Sequence, residues 1–299
     1  MTQVVAKVYG AVSIVNAIAI GKGSTLGIDT FVETTLTKKE GKGIHITSEN
    51  KTISSRLINK LIENMIPKKI LDNTKLELDF KSNIPTGYGL KSSSAISSAV
   101  VLSCAKAFGK TMSDEEVLKL GAKTSIQTKV SITGAYDDAC ACHFGGFNVT
   151  DNLKMKLLHR ELAPKELQAI IFLPKSRKRG NLRKLKEFKN AFEKSWQLAR
   201  NSDYWNAAVL NGIATTSILN SEPNLIMRLM EKGALCATIS GNGPSIMAIT
   251  DRKNKSRVQK EFSGLDGKIM VSNINNKKAY VHELYNSKIK IKWKNNMSI

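Results

Sequence analysis

The sequence predicts an α+β fold in two domains. Three observations lead there. The chain has 299 residues, enough for a large core and more than one domain commonly needs. Its first forty residues have strand texture, and residues 76–107 pass from a strand through a glycine loop into a helix of small residues. After Asn152 the texture becomes a succession of helices and strands, which predicts a second α+β domain.

Taken in order, Val4-Val5-Ala6-Lys7-Val8 alternates weakly, and residues 31–37 are rich in β-branched side chains, so both predict strands. Between them, Gly21-Lys22-Gly23-Ser24-Thr25-Leu26-Gly27 predicts a loop, either a plain glycine turn or a lip over a ligand. It matches neither a Walker A loop nor a dinucleotide fingerprint, because Lys22 is followed by Gly23. A hairpin at 39–43 leads into a strand at 44–46. Ile53, Leu57, Ile58, Leu61, Ile62 and Met65 then mark a helix that ends at Pro67.

Next comes the stretch that dominates the reading, Pro85-Thr86-Gly87-Tyr88-Gly89-Leu90-Lys91-Ser92-Ser93-Ser94-Ala95. It follows the strand Leu76-Glu77-Leu78-Asp79-Phe80 and opens a helix over 94–107. Glycines let backbone approach a ligand closely, and a helix start presents unpaired N–H groups and the positive end of the dipole. Together with Lys91 and three hydroxyls, this describes a cradle for an anion, most simply phosphate. The competing reading is an ordinary strand-to-helix turn capped by serine.

Ser113-Asp114-Glu115-Glu116 has the form of a capping box. Thr133-Gly134-Ala135-Tyr136-Asp137-Asp138-Ala139 follows, a few residues before Gly145-Gly146. Adjacent aspartates in an apolar stretch suit a divalent cation or acceptance of a hydroxyl proton, or else they merely cap a helix. In the second half, 168–173 predicts a buried strand and Asn181 opens an amphipathic helix. Helices at 203–220 and from Glu222-Pro223 come next. Ser240-Gly241-Asn242-Gly243-Pro244-Ser245, set between apolar strands, is a turn or a second backbone lip. A helix at 256–262, strands at 268–274 and 278–283, and a basic run at 287–294 complete the chain.

Composition narrows the function. With 41% hydrophobic residues the chain reads as a globular enzyme, and no apolar run reaches a membrane span. Ala11 to Ile20 lacks a clear cleavage site and reads as a buried segment. The four cysteines are too few and scattered for a disulfide framework. Cys140-Ala141-Cys142-His143 has no second ligand pair at zinc spacing, so buried thiols are the simpler reading. These features predict a cytoplasmic protein. The net charge of +21 favours anionic partners. Only nine of the 46 basic residues are arginine and the lysines are dispersed, so a solvated surface explains most of the charge and a dedicated nucleic-acid face is the weaker reading.

With these stretches assembled, the chain resembles the GHMP kinase superfamily, which contains galactokinase, homoserine kinase and mevalonate kinase. The family loop Pro-x-x-x-Gly-Leu-x-Ser-Ser-Ala is matched from Pro85 to Ala95, with an extra serine and with Lys91 where many members have glycine. The acid motif before Gly-Gly and the second glycine motif follow in family order. The wording from Gly89 to Ala95, from Thr133 to Ala141 and from Gly10 to Ala17 is most similar to the archaeal shikimate kinase branch. Gly10-Ala11-Val12 lacks the Gly-Glu-His of mevalonate-type members, and homoserine kinase stays as an alternative.

The resemblance implies an N-terminal ATP-binding domain over 1–151, a ferredoxin-like C-terminal domain over 152–285, and a basic tail over 286–299. It implies ATP held on Pro85, Gly87, Gly89, Leu90, Lys91, Ser92, Ser93, Ser94, Gly241 and Gly243. It implies Mg2+ at Ser93, with Asp137 in support, and catalysis by Asp138, Asp137 and Lys91. Shikimate, a carboxylate, is expected to meet Asn16, Asp138 and a basic residue among Arg177, Lys178 and Arg179. The product would be 3-phosphoshikimate, a step of aromatic amino acid biosynthesis.

Overall fold

The structure, a computed structural model, describes residues 1–49, 53–177, 180–219 and 223–284. Two sheets organise it. The strands and helices in chain order are β1 (Thr2–Val15), β2 (Lys22–Glu40), β3 (Gly43–Ser48), α1 (Ser55–Met65), α2 (Lys68–Leu71) and β4 (Thr74–Ser82). Then come α3 (Ser92–Ala107), α4 (Asp114–Gln127), α5 (Tyr136–Phe144), β5 (Phe147–Asp151), β6 (Lys156–Glu161) and β7 (Gln168–Pro174). After a 3-10 segment (Leu182–Phe188) follow α6 (Lys189–Arg200), α7 (Tyr204–Ile218), α8 (Pro223–Glu231), β8 (Ala234–Ile239) and β9 (Ile246–Thr250). The described chain ends with α9 (Lys255–Lys260), β10 (Gly267–Asn273) and β11 (Tyr280–Glu283).

The first sheet is built on the long β1–β2 hairpin, with β11 on the free edge of β1 and the order β11-β1-β2-β4-β3. β2 serves two partners along its length: residues 22–26 pair with β5 and residues 32–40 with β4. The glycine-rich run at 21–27, expected to be a loop, is therefore mostly strand. β6 pairs with β5 and β11 with β1, so the first sheet continues beyond residue 151 and recruits a strand from near the end of the described chain. The expected change of domain falls inside the turn of the β5–β6 hairpin.

The second sheet is antiparallel with order β10-β7-β9-β8. Its chain order, strand, helices, strand, strand, helix, strand, is the split β-α-β of ferredoxin-like domains. α7 and α8 lie on β8, and α7 also reaches β1, so the two sheets share a contact layer of helices.

Local chemistry explains the helices nearest the cleft between them. α1 buries Leu57, Ile58, Leu61, Ile62 and Met65 on one face, and Ser54 caps it by accepting from the Leu57 N–H. α3 is buried on nearly every side: Ala95, Ala99, Val100 and Cys104 are sealed among β1, β2, α1, α4 and α5. Its run of serine and alanine is what lets so many neighbours approach one helix. α4 carries the full reciprocal capping box of Ser113 and Glu116. The expected helix at 181 opens instead as a 3-10 segment, with Asn181 bonding back to the Arg183 N–H. The basic tail and Lys178-Arg179 lie outside the described residues.

Candidate active site

A cleft of about 190 Å³ opens between the two sheets. One wall is the glycine loop with the start of α3; the others are the acid turn at the start of α5, the 240–242 turn, and the 130–135 loop. Helix α3 begins from Lys91 in the left-handed region, at φ 68°, and no side chain caps it. Its first-turn N–H groups, from Ser92 to Ser94, have no helical acceptor and stand at the positive end of the dipole. Ser92 and Ser94 are buried while Ser93 is exposed on the cleft wall.

Serine hydroxyls lace the two glycine turns together. Ser240 Oγ donates to the Gly89 carbonyl at 2.8 Å, and Ser245 Oγ to the Tyr88 carbonyl at 2.6 Å. Gly89 has φ 80°, and a Cβ there would lie 2.0 Å from the Ser240 carbonyl oxygen, so no other residue fits between the loops. Gly241 lines the cleft, whereas Gly243 stands behind it, its N–H donating to the Ser240 carbonyl at 2.9 Å.

Lys91 is the hub. Its ammonium donates to Ser13 Oγ at 2.7 Å and pairs with Asp138 Oδ1 at 2.9 Å, with the lysine side chain 3% and the aspartate 18% exposed. Ser13 Oγ also accepts from the Gly241 N–H at 2.9 Å, so one hydroxyl ties β1 to both glycine turns. Asp138 is thus held by a cation while still facing the cleft, in reach of an incoming hydroxyl.

Asp137 is different. It is 3% exposed, on the cleft floor, and Asn152 Nδ2 donates to its Oδ1 at 2.7 Å. Burial, then the Asp138 charge, push its carboxyl well above the usual range, against opposing pulls from Lys91, Asn152 and the Asp138 N–H. Asn16, expected to touch substrate, lines the cleft and also bonds to the loops around it. Its Nδ2 donates to the Gly241 carbonyl at 2.7 Å, its Oδ1 accepts from the Ile18 N–H, and its own N–H donates to Asn211 Oδ1. It holds the second glycine turn in place.

Arg177 stands at the rim. It is exposed, stacks on the Tyr88 ring at 4.9 Å, and lies 3.7 Å from where a Gly87 Cβ would be. Pro85 lines a neighbouring hollow with Tyr88 and Arg177, and Leu90 is core. Arg179 lies outside the described residues. Cys140, Cys142 and His143 are interior: His143 Nε2 meets Asp114 Oδ1 at 2.8 Å, burial raises both thiols, and no cluster of three metal-binding side chains occurs among the described residues. Ser240 and Ser245 belong to the second glycine stretch read from the sequence, whereas Ser13 and Asn152 enter the site with no role expected of them.

The cleft combines an open helix N-terminus with a lysine-bound carboxylate, an arrangement suited to moving a phosphoryl group onto a hydroxyl. Comparison with known proteins agrees. Residues 56–146 match the family model described as the GHMP kinases N terminal domain. A shikimate kinase of Methanosarcina mazei is 34% identical over 282 residues, 91% of this chain and 94% of that protein. One of Pyrococcus furiosus is also 34% identical, over 84% of this chain and 93% of that protein. The chain belongs to the GHMP kinase family. Membership makes it a kinase, with ATP as phosphoryl donor. Among solved structures, Methanococcus jannaschii mevalonate kinase has the same fold, with TM-score 0.73 over 91% of this chain and 98% of that one at 14% identity. Homoserine kinase of Cytophaga hutchinsonii gives TM-score 0.70 over 93% and 97% at 18% identity. Among the described residues, no helix is long and apolar enough to cross a membrane.

Proposed function

We propose that this kinase phosphorylates shikimate, forming 3-phosphoshikimate and ADP. The observation that carries the reading is Asp138, paired with Lys91 in the same cleft that the open start of α3 lines. The relatives that align over about nine-tenths of the chain are named shikimate kinases, which directs the choice of acceptor.

The β- and γ-phosphates lie on the backbone from Gly87 to Ser94, where N–H groups and the α3 dipole offset their charge. The substrate hydroxyl faces Asp138. As its oxygen bonds to the γ-phosphorus, its proton passes to the Asp138 carboxylate and the bond to the ADP oxygen breaks. Lys91, paired with that carboxylate at 2.9 Å, keeps it aimed. Arg177, at the rim beside Gly87, takes the substrate carboxylate.

The residues present fit Mg2+. Ser93 is an exposed hydroxyl on the cleft wall, and this ion takes most of its ligands from phosphate and water, so no acidic cluster is required. Bound there, Mg2+ would neutralise charge on the transferring phosphate. Asp137 is not well placed to share it, because its carboxyl is buried against Asn152.

Phosphorus NMR of the product tests the reading. Incubation with ATP, Mg2+ and shikimate should yield one new phosphomonoester coupled to the proton on carbon 3. ATP consumption without that resonance, or coupling to another carbon, refutes it.

A further inference from the structure

The start of α5 has no cap of its own. Its N-cap residue is Ala135, at φ 51°, which has no side-chain oxygen to offer the first-turn N–H groups. Asn152, from just beyond β5 and 1% exposed, supplies what is missing. Its Oδ1 accepts from the Asp137 N–H at 3.0 Å, while its Nδ2 donates to Asp137 Oδ1 at 2.7 Å. One amide therefore clamps a residue by both backbone and side chain. The orientation of that amide is itself set, because Thr150 Oγ1 donates to Asn152 Oδ1 at 2.7 Å.

The rest of Asp137 is equally confined. Thr25 Oγ1 donates to its carbonyl at 2.8 Å. Its Oδ2 lies against Gly23, where a Cβ would come within 2.3 Å. The Asp137 N–H, carbonyl and Oδ1 are thus each held by β2 or by the residue after β5. The next residue in the chain is Asp138, which reaches Lys91.

We propose that Asn152 is a positioning residue for phosphoryl transfer: it caps α5 from the neighbouring strand and, through Asp137, fixes where the Asp138 carboxylate stands. Asp137 acts as the handle by which Asn152 holds the turn. The inference rests on Asp138 receiving the hydroxyl proton and adds a requirement that the proposed reaction alone does not make. Misplacement of a reacting group by about 1 Å can cost about 100-fold in rate.

The test compares Asn152→Ala, Asn152→Asp and the exchanged pair Asp137→Asn with Asn152→Asp. In the exchanged pair, the backbone N–H and the new side-chain amide at position 137 both donate to the new carboxylate at position 152. The clamp is rebuilt with its polarity reversed. Asn152→Ala is expected to lose about 100-fold in kcat. Its KM values for ATP and acceptor should stay within about twofold, since uniform binding is untouched. The exchanged pair should recover to within about tenfold of wild type, where Asn152→Asp alone does not. Wild-type kcat in Asn152→Ala, or an exchanged pair no better than Asn152→Asp, overturns the proposal.

Amide hydrogen exchange at position 137 supplies a readout that needs no acceptor. It should accelerate in folded Asn152→Ala and return in the exchanged pair; unchanged protection overturns the cap. If wild type phosphorylates another hydroxyl compound and not shikimate, the substrate reading fails. The same comparison with that compound still decides the role of Asn152.

Discussion

Two helix starts line the cleft, and they are built alike but used in opposite ways. Both α3 and α5 begin from a left-handed residue that is not glycine, Lys91 or Ala135, and neither N-cap side chain caps its own helix. The first turn of α3 has no acid, only serines, so its positive end is left for an incoming anion. The first turn of α5 carries Asp137 and Asp138, which occupy its positive end with charge from the chain itself. One start is a binding site because it is unfilled. The other holds a carboxylate in place because it is filled. Lys91 joins the two, as the N-cap of α3 and the partner of Asp138.

Substitutions that make the two starts more alike, or uncouple them, should break this division. Asp138→Asn removes the proton acceptor and should lower kcat by about 1,000-fold, within the span known for general bases, while affinity for an ATP analogue on α3 is retained. Steady-state kinetics and calorimetry check both halves.

Gly89→Ala should be the most destabilising change in the phosphate loop. It adds left-handed strain to a collision with the Ser240 carbonyl, together about 3 kcal/mol by chemical denaturation. Gly87→Ala, whose nearest obstacle is Arg177 at 3.7 Å, should cost only the strain, about 1 kcal/mol.

Lys91→Gly and Lys91→Ala both remove the link between the helices and should both slow turnover. Glycine tolerates the left-handed backbone, so Lys91→Gly should be the more stable by about 1 kcal/mol. Equal stability would mean that the strain at 91 is absent.

The smallest effect concerns pH. The Asp137 carboxyl has its affinity for protons raised by folding, so the folded state binds the proton more tightly than the unfolded chain. Its contribution is present at low pH and is lost as pH rises from the ordinary carboxylate range through the raised value. Asp137→Asn, which does not titrate, should therefore gain stability relative to wild type as pH rises across that window. Thermal melts between acid and neutral pH measure the gap.

The α3 side of this comparison was legible because its signals are local. Glycines, serines and the following helix lie within a dozen residues, and the acid pair announces itself in the same way. The links between these stretches were not. Ser13 meets Lys91 across 78 residues, and Ser240 meets the Ser13 N–H across 227. A lone serine in a strand gives no sign of such a partner. Asn152 marked a change of texture, and only the β5 geometry reveals it as a cap for α5.

Glycine misled once. The run at 21–27 suggested a loop, but Gly23 sits inside β2 because the Asp137 carboxylate presses against it. In a strand, glycine can signal close approach as readily as a turn. The sheet pairings of β6 and β11 were hidden for a related reason: alternation identifies a strand but does not say which sheet it joins. Lys91 was legible as a charge among hydroxyls, but not as a left-handed residue, since lysine gives no hint of positive φ.

The central claim is that the filled start of α5 delivers a shikimate hydroxyl to phosphate held on the open start of α3. Coupled ADP release by the purified protein, with shikimate, homoserine and mevalonate offered separately, tests it most directly. The account predicts rapid ADP release with shikimate alone, abolished in Asp138→Asn. Turnover of homoserine or mevalonate in place of shikimate, or undiminished turnover in Asp138→Asn, would contradict it.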